Sequence, residues 1–132
     1  MNYNMTLFNK NFKFDLEFGE IREQKLADIL LKEKIEVKTE RNQWATTGNI
    51  AIELECRGKK SGLSTTEAKY WIHILDQDGQ QFCMLMFEVA VLKQLVNKMV
   101  STKEASIIMG GDNDESKIVL IPLNKIFKFA SR

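Results

Sequence analysis

Cysteine and histidine are scarce in this chain, which holds two of the first and one of the second in 132 residues. Cys56 and Cys83 match neither metal-ligand nor redox spacing, so a reduced, cytoplasmic protein is the default expectation. His73 stands in the apolar run Trp71-Ile72-His73-Ile74-Leu75 with no second histidine or nearby cysteine, and reads as a core or edge residue rather than a metal ligand. An excess of one charge is also missing. With 19 basic and 18 acidic residues the formal net charge is +1, so no global positive field marks a nucleic-acid binder and any such surface must be local. No apolar stretch approaches the roughly 20 residues needed to span a bilayer. The N-terminus, with Asn, Lys and Asp interspersed, lacks the apolar run of a signal peptide.

What is present is enough for a core: 44% of the residues are hydrophobic, and the length suits one compact domain over residues 1–132. Residues 1–15 show no clear period and stay unassigned, as a loose N-terminal arm or a segment packed on the core. Apolar residues at Phe18, Ile21, Leu26, Ile29 and Leu30 follow helical spacing and predict a helix from about 18 to 33. Strands are expected at 34–40 and 49–56, joined as a hairpin through Gly48 and Asn49. A basic loop, Arg57-Gly58-Lys59-Lys60-Ser61-Gly62, follows, and Ser64-Thr65-Thr66-Glu67 has the form of a capping box. Strands at 70–75 and 81–87 flank Asp78-Gly79, a strong hairpin signal. Val91, Leu92, Leu95, Val96 and Met99 mark a second helix, and a last strand spans 117–123, where Pro122 implies an edge or a bulge. The order predicts an α/β or α+β domain with a mixed central β-sheet flanked by helices.

Two strings carry the chemistry. In a strand, alternate side chains share a face, so Glu36 and Lys38 oppose Ile35, Val37 and Thr39, while Glu53 and Glu55 oppose Ile50, Ile52 and Leu54. If the two strands pair, three carboxylates and one ammonium converge. Mg²⁺ (or Mn²⁺) accepts two or three carboxylates together with waters and a phosphate oxygen, and a bound ion polarises the phosphate and acidifies a water. An adjacent lysine positions that water or stabilises the charge that develops on the phosphorane.

Over roughly residues 15–75 the chain resembles the PD-(D/E)XK nuclease superfamily, in a small phage form similar to Holliday-junction resolvases. Gly19-x-x-x-Glu23 looks like the family's helix signature, with Leu26 and Leu30 at the expected apolar positions. Glu36-Val37-Lys38 looks like its acid-x-Lys element. The stretch from Thr47-Gly48-Asn49 to Glu53, the Ser61-Gly62 loop and Thr65-Thr66-Glu67-Ala68-Lys69-Tyr70-Trp71 resemble the part that follows in phage homologues. The resemblance implies a restriction-endonuclease-like core, Mg²⁺- or Mn²⁺-dependent hydrolysis of DNA, branched or structured DNA as substrate, and a homodimer. Catalytic roles would fall on Glu36, Lys38, Glu53 and Glu23, and metal ligation on Glu36, Glu53 and Glu55. The family pattern departs here in lacking an Asp on a separate strand before Glu36. One alignment therefore makes Glu36-Val37-Lys38 the acid-x-Lys pair; the other makes Glu36 the first acid, Glu53 the second, and puts Glu55 where the lysine usually stands.

Arg57, Lys59 and Lys60 are candidate phosphate contacts, and Trp44, at the tip of the expected hairpin, is a candidate to stack on an unpaired base. Each has an ordinary alternative, a surface turn for the cations and an aromatic folded back on its own hairpin for Trp44. The competing reading of the acidic strings is the solvated face of a half-buried sheet, which would make the protein a non-catalytic nucleic-acid or protein interaction module.

Overall fold

Hydrogen-bonding continuity explains the first departure from expectation. The computed structural model describes residues 5–129, and α1 runs over Met5–Lys32, so the helix begins well before residue 18. No glycine or proline falls between residues 5 and 18 to interrupt the i→i−4 ladder, and helix propagation needs only one bond per added residue. Residues 1–4 of the expected arm lie outside the described residues. Two compact units divide the chain, Met1–Glu33 and Lys34–Arg132. The first contains α1, and no helix among the described residues is long and apolar enough to cross a membrane.

The second unit contains two sheets. β1 (Ile35–Arg41), β4 (Tyr70–Gln77) and β5 (Gln80–Glu88) form a mixed sheet in the order β1-β4-β5, parallel between β1 and β4 and antiparallel between β4 and β5. β2 (Asn49–Cys56), β3 (Lys59–Lys60), β6 (Ser106–Gly110) and β7 (Ser116–Pro122) form an antiparallel sheet in the order β3-β2-β7-β6. Helix α3 (Val89–Ser101) follows β5 and α4 (Leu123–Phe129) follows β7. The α/β class and the mixed sheet match the sequence reading, while the strands outside that sheet assemble separately.

One apolar core serves both sheets. Ile50, Ile52, Val119 and Ile121 from the antiparallel sheet meet Trp71 and Leu75 of β4 and Leu92, Leu95, Val96 and Met99 of α3. Full burial of each such side chain contributes about 1.5–3 kcal/mol. Asp78 (φ 52°) and Gly79 (φ 80°) make the expected two-residue turn between β4 and β5, both in the left-handed region that this turn type needs.

Three local expectations are corrected. β1 and β2 do not form a hairpin: the linking segment folds into a short helix, α2 (Gln43–Thr47), stopped by Gly48 at φ 73°, and β1 pairs in parallel with β4 instead. The helical turn expected from Ser64 lies one step earlier, as a 3-10 turn over Gly62–Ser64, and Glu67 reaches Lys34 at 3.5 Å instead of serving a cap. Pro122 is on an interior strand, but β6 ends its pairing at Leu120, so the missing N–H of Pro122 breaks no bond to β6.

Candidate active site

The polar face of β1 is turned toward the interior. Register sets Glu36 beside Trp71, Lys38 beside His73 and Glu40 beside Leu75, and those three β4 side chains are buried. Val37, on the opposite face, is 53% exposed. The inward turn is complete only at Glu40, whose side chain is 17% exposed, while Glu36 and Lys38 stay 35% and 46% exposed. A reversal of local preference of this kind is expected where function demands it.

Glu40, which the sequence reading passed over, is the most engaged of these groups. Its side chain is 17% exposed, and its Oε1 accepts hydrogen bonds from the Ala51 N–H of β2 and from His73 Nε2, the latter at 2.5 Å. Between Asn49 and Leu54, β2 has a strand partner on its β7 side only, because β3 pairs no further than Glu55 and Cys56. The Glu40 carboxylate therefore stands in for a missing strand at that edge and satisfies an otherwise orphaned donor. The signal was present in the sequence: Glu36, Lys38 and Glu40 share one period-2 face.

Glu53 is held from two sides. Ser116 Oγ donates to its Oε1 at 2.7 Å and Ser61 Oγ to its Oε2 at 3.0 Å. The Ser61-Gly62 pair thus has a physical reason. Gly62 sits at φ 52°, and a Cβ there would fall inside contact distance of the Glu53 carbonyl oxygen, so only glycine lets the loop lie against β2 and bring Ser61 within reach. The turn before it, Arg57 (φ 53°) and Gly58 (φ 75°), closes a tight hairpin between β2 and β3.

Lys38, Glu40, Glu53 and His73 line a single cavity of about 220 Å³, with Thr39, Ala51 and Trp71 completing its wall. Lys38 Nζ lies 3.1 Å from Glu36 Oε1, an ion pair close to solvent. Of the residues expected in the site, then, Lys38 and Glu53 share a cavity and Glu36 is joined to it through Lys38.

Others go elsewhere. The register of β2 against β7 shifts between Glu53 and Glu55, so Glu53 pairs with Ile118 and Glu55 with the adjacent Lys117. Adjacent residues of β7 point to opposite faces, and the bulge therefore turns Glu55 away from Glu53, toward an ion pair with Lys117 at 3.9 Å. The shared acidic face expected for Glu53 and Glu55 is not formed, and Glu55 does not join the cavity residues. Trp44 is 8% exposed, donates Nε1–H to the Asp76 carbonyl at 2.8 Å and packs on Phe82, which makes it a core anchor with no face free for a base. Arg57 is exposed but paired with Glu115 at 2.7 Å, and Lys59 and Lys60 are exposed on β3. Glu23 belongs to the N-terminal unit and is exposed on α1.

Among the described residues no group of three or more His, Cys, Asp or Glu side chains is gathered tightly enough to hold a metal ion by itself. The carboxylates of Glu40 and Glu53 on one cavity are a smaller donor set. Two carboxylates are a donor set of the kind Mg²⁺ takes, with waters and substrate phosphate oxygens completing its shell; here both oxygens of Glu53 and Oε1 of Glu40 already accept hydrogen bonds. No protein-family profile, curated protein or solved structure matches the chain.

Proposed function

We propose that this protein is a divalent-metal-dependent endonuclease that hydrolyses DNA phosphodiester bonds, in the manner of the PD-(D/E)XK nucleases its sequence resembles, with branched or structured DNA as substrate. The observation that carries this reading is the inward-turned cavity of Lys38, Glu40 and Glu53, in which each carboxylate is braced by hydrogen bonds from separate elements. Such bracing holds charge where an unbraced sheet would leave it to solvent, and preorganisation of this type is what electrostatic catalysis requires.

Glu40 and Glu53 would hold the Mg²⁺ or Mn²⁺, which when bound supplies a Lewis acid for the phosphate and a more acidic water. Lys38 supplies the positive charge at the developing phosphorane, with Glu36 restraining its ammonium at 3.1 Å. Lys59 and Lys60, on the hairpin whose next residues brace Glu53, contact backbone phosphates without reading sequence. Arg57 is the weaker candidate for that role because Glu115 already partners it. Two cuts on a branched substrate need two such sites, which favours a homodimer, and the cytoplasm of the host cell is the proposed place of action.

The test is incubation of the protein with supercoiled plasmid and with a synthetic four-way junction, in Mg²⁺, in Mn²⁺ and in chelator. Metal-dependent cutting is the expected result. Binding without cutting under every metal condition would favour the interaction module instead. The Lys38→Ala variant separates the two further: its cleavage rate at saturating DNA should fall by about a hundredfold or more while affinity holds. Neutralising Lys59 and Lys60 should instead weaken binding and flatten its salt dependence, with cutting recovered at high protein concentration.

A further inference from the structure

His73 has both ring nitrogens engaged although it is 1% exposed at the centre of β4. Trp71 Nε1 lies 3.1 Å from Nδ1, and Glu40 Oε1 lies 2.5 Å from Nε2. An indole nitrogen can only donate, so Nδ1 accepts, the ring proton is assigned to Nε2, and Nε2–H donates to the carboxylate. Trp71 is as deeply buried as His73, and the two rings lie within 10° of parallel with centroids 6.5 Å apart. A buried imidazole costs stability unless its polar atoms are bonded, and an aliphatic side chain would have filled the position without that demand. Ala51 N–H donates to the same carboxylate oxygen. Neither bond uses Oε2.

We propose that His73 is a positioning residue for Glu40, and that the chain Trp71 to His73 to Glu40 fixes one carboxylate oxygen so that the other is presented to a divalent cation in the cavity. The proposal rests on the hydrolytic reading of that cavity and adds a residue that touches neither substrate nor ion. Trp71 and the Glu40 carboxylate both require the proton on Nε2, and that donor together with Ala51 sets the orientation of Glu40. Outer partners of this kind tune affinity by about 10- to 100-fold.

The experiment uses the full chain without metal for imidazole ¹⁵N NMR, and Mn²⁺ titration followed by electron paramagnetic resonance for affinity. The wild-type spectrum should show the Nε2-protonated tautomer. His73→Leu, which removes the donor, should weaken Mn²⁺ binding about 10- to 100-fold, and His73→Gln, whose amide restores an N–H, should recover most of it. Glu40→Gln, whose amide no longer demands a donor, should leave the fold intact by far-ultraviolet circular dichroism and weaken Mn²⁺ binding at least as much as His73→Leu. An Nδ1-protonated ring in the wild type, or a folded His73→Leu variant with wild-type Mn²⁺ affinity, would overturn the proposal. If His73→Leu fails to fold, the glutamine variant decides: Mn²⁺ affinity as weak in His73→Gln as in Glu40→Gln overturns it. A wild-type protein with the expected tautomer but no Mn²⁺ affinity would remove the cation site, and with it the hydrolytic reading, while leaving the hydrogen-bond chain itself standing.

Discussion

On one side of the bulge in β2, Glu53 receives two serine hydroxyls and faces a cavity shared with Lys38 and Glu40. On the other side, two residues along, Glu55 meets a half-exposed Lys117 at 3.9 Å. Side-chain chemistry is identical, so what separates the two is the company each keeps: two hydroxyl donors from separate elements against one partly exposed cation. A site is recognised by what braces its groups as well as by the groups themselves. The comparison can be broken most directly at the two acids. Glu53→Gln should reduce metal-dependent cleavage on the order of 10³-fold, the several kcal/mol that ligand charge contributes, whereas Glu55→Gln should cleave as wild type. Single-turnover rates at saturating DNA decide it, and equal losses in the two variants would return Glu55 to the site.

Two glycines of the following hairpin sharpen the same contrast in stability. Gly58 and Gly62 both have positive φ, but a Cβ at Gly58 meets open space while one at Gly62 collides with the β2 backbone. Gly58→Ala should cost about 1 kcal/mol, the ordinary strain of a left-handed alanine. Gly62→Ala adds a clash that only backbone movement can relieve, so about 3 kcal/mol is expected, together with loss of the Ser61 contact to Glu53. Thermal denaturation should separate the two by several degrees. Indistinguishable melting temperatures would mean that the loop gives way easily and does not brace Glu53.

Ser116 and Lys117 make the comparison on β7, one under each acid. Ser116 is buried and donates at 2.7 Å, so Ser116→Ala leaves a half-buried carboxylate short of a partner and should cost about 1–3 kcal/mol. Urea denaturation measures this, and a Ser116→Ala protein as stable as wild type would show that Glu53 is solvated well enough without the hydroxyl.

Periodicity made much of this architecture legible from sequence. α3, the strand pair around Asp78-Gly79, and the extents of β1 and β2 followed from spacing and turn chemistry, because those features are local. Partner choice was not local. β1 pairs with β4, some 35 residues away, and nothing in its own residues distinguishes that from a hairpin with β2. The short strand β6 and helices α2 and α4 were also missed, each too brief to develop a period. In the site, Lys38 and Glu53 were legible as groups of two strands expected to pair; they line one cavity although those strands do not pair. His73 was legible as a core residue, but its link to Glu40, which was overlooked, arises from contact between separated strands, and the bulge that expels Glu55 left no mark in a sequence that simply alternates. Trp44 was read either as a stacking aromatic or as one folded back on its hairpin; it is buried, but in the core with its Nε1–H on Asp76 of β4 rather than on a hairpin of its own.

The smallest effect expected is also the one that completes the comparison. Lys117→Ala removes the ion pair on the Glu55 side, where both partners are more than a third exposed. Solvent screens such a pair, and ordering two long side chains offsets most of the Coulombic attraction, so the loss should be no more than about 0.5 kcal/mol. Cleavage should be unchanged, since Glu55 does not line the cavity. A double-mutant cycle gives the sharper measurement: coupling between Lys117 and Glu55 should be close to zero in 0.5 M salt, whereas coupling between Ser116 and Glu53 should survive it, because a buried hydrogen bond is little screened. If the Lys117–Glu55 coupling were the larger and the more resistant to salt, the bulge would not separate a braced acid from a surface one, and the choice of Glu53 over Glu55 as the acid of the site would lose its basis.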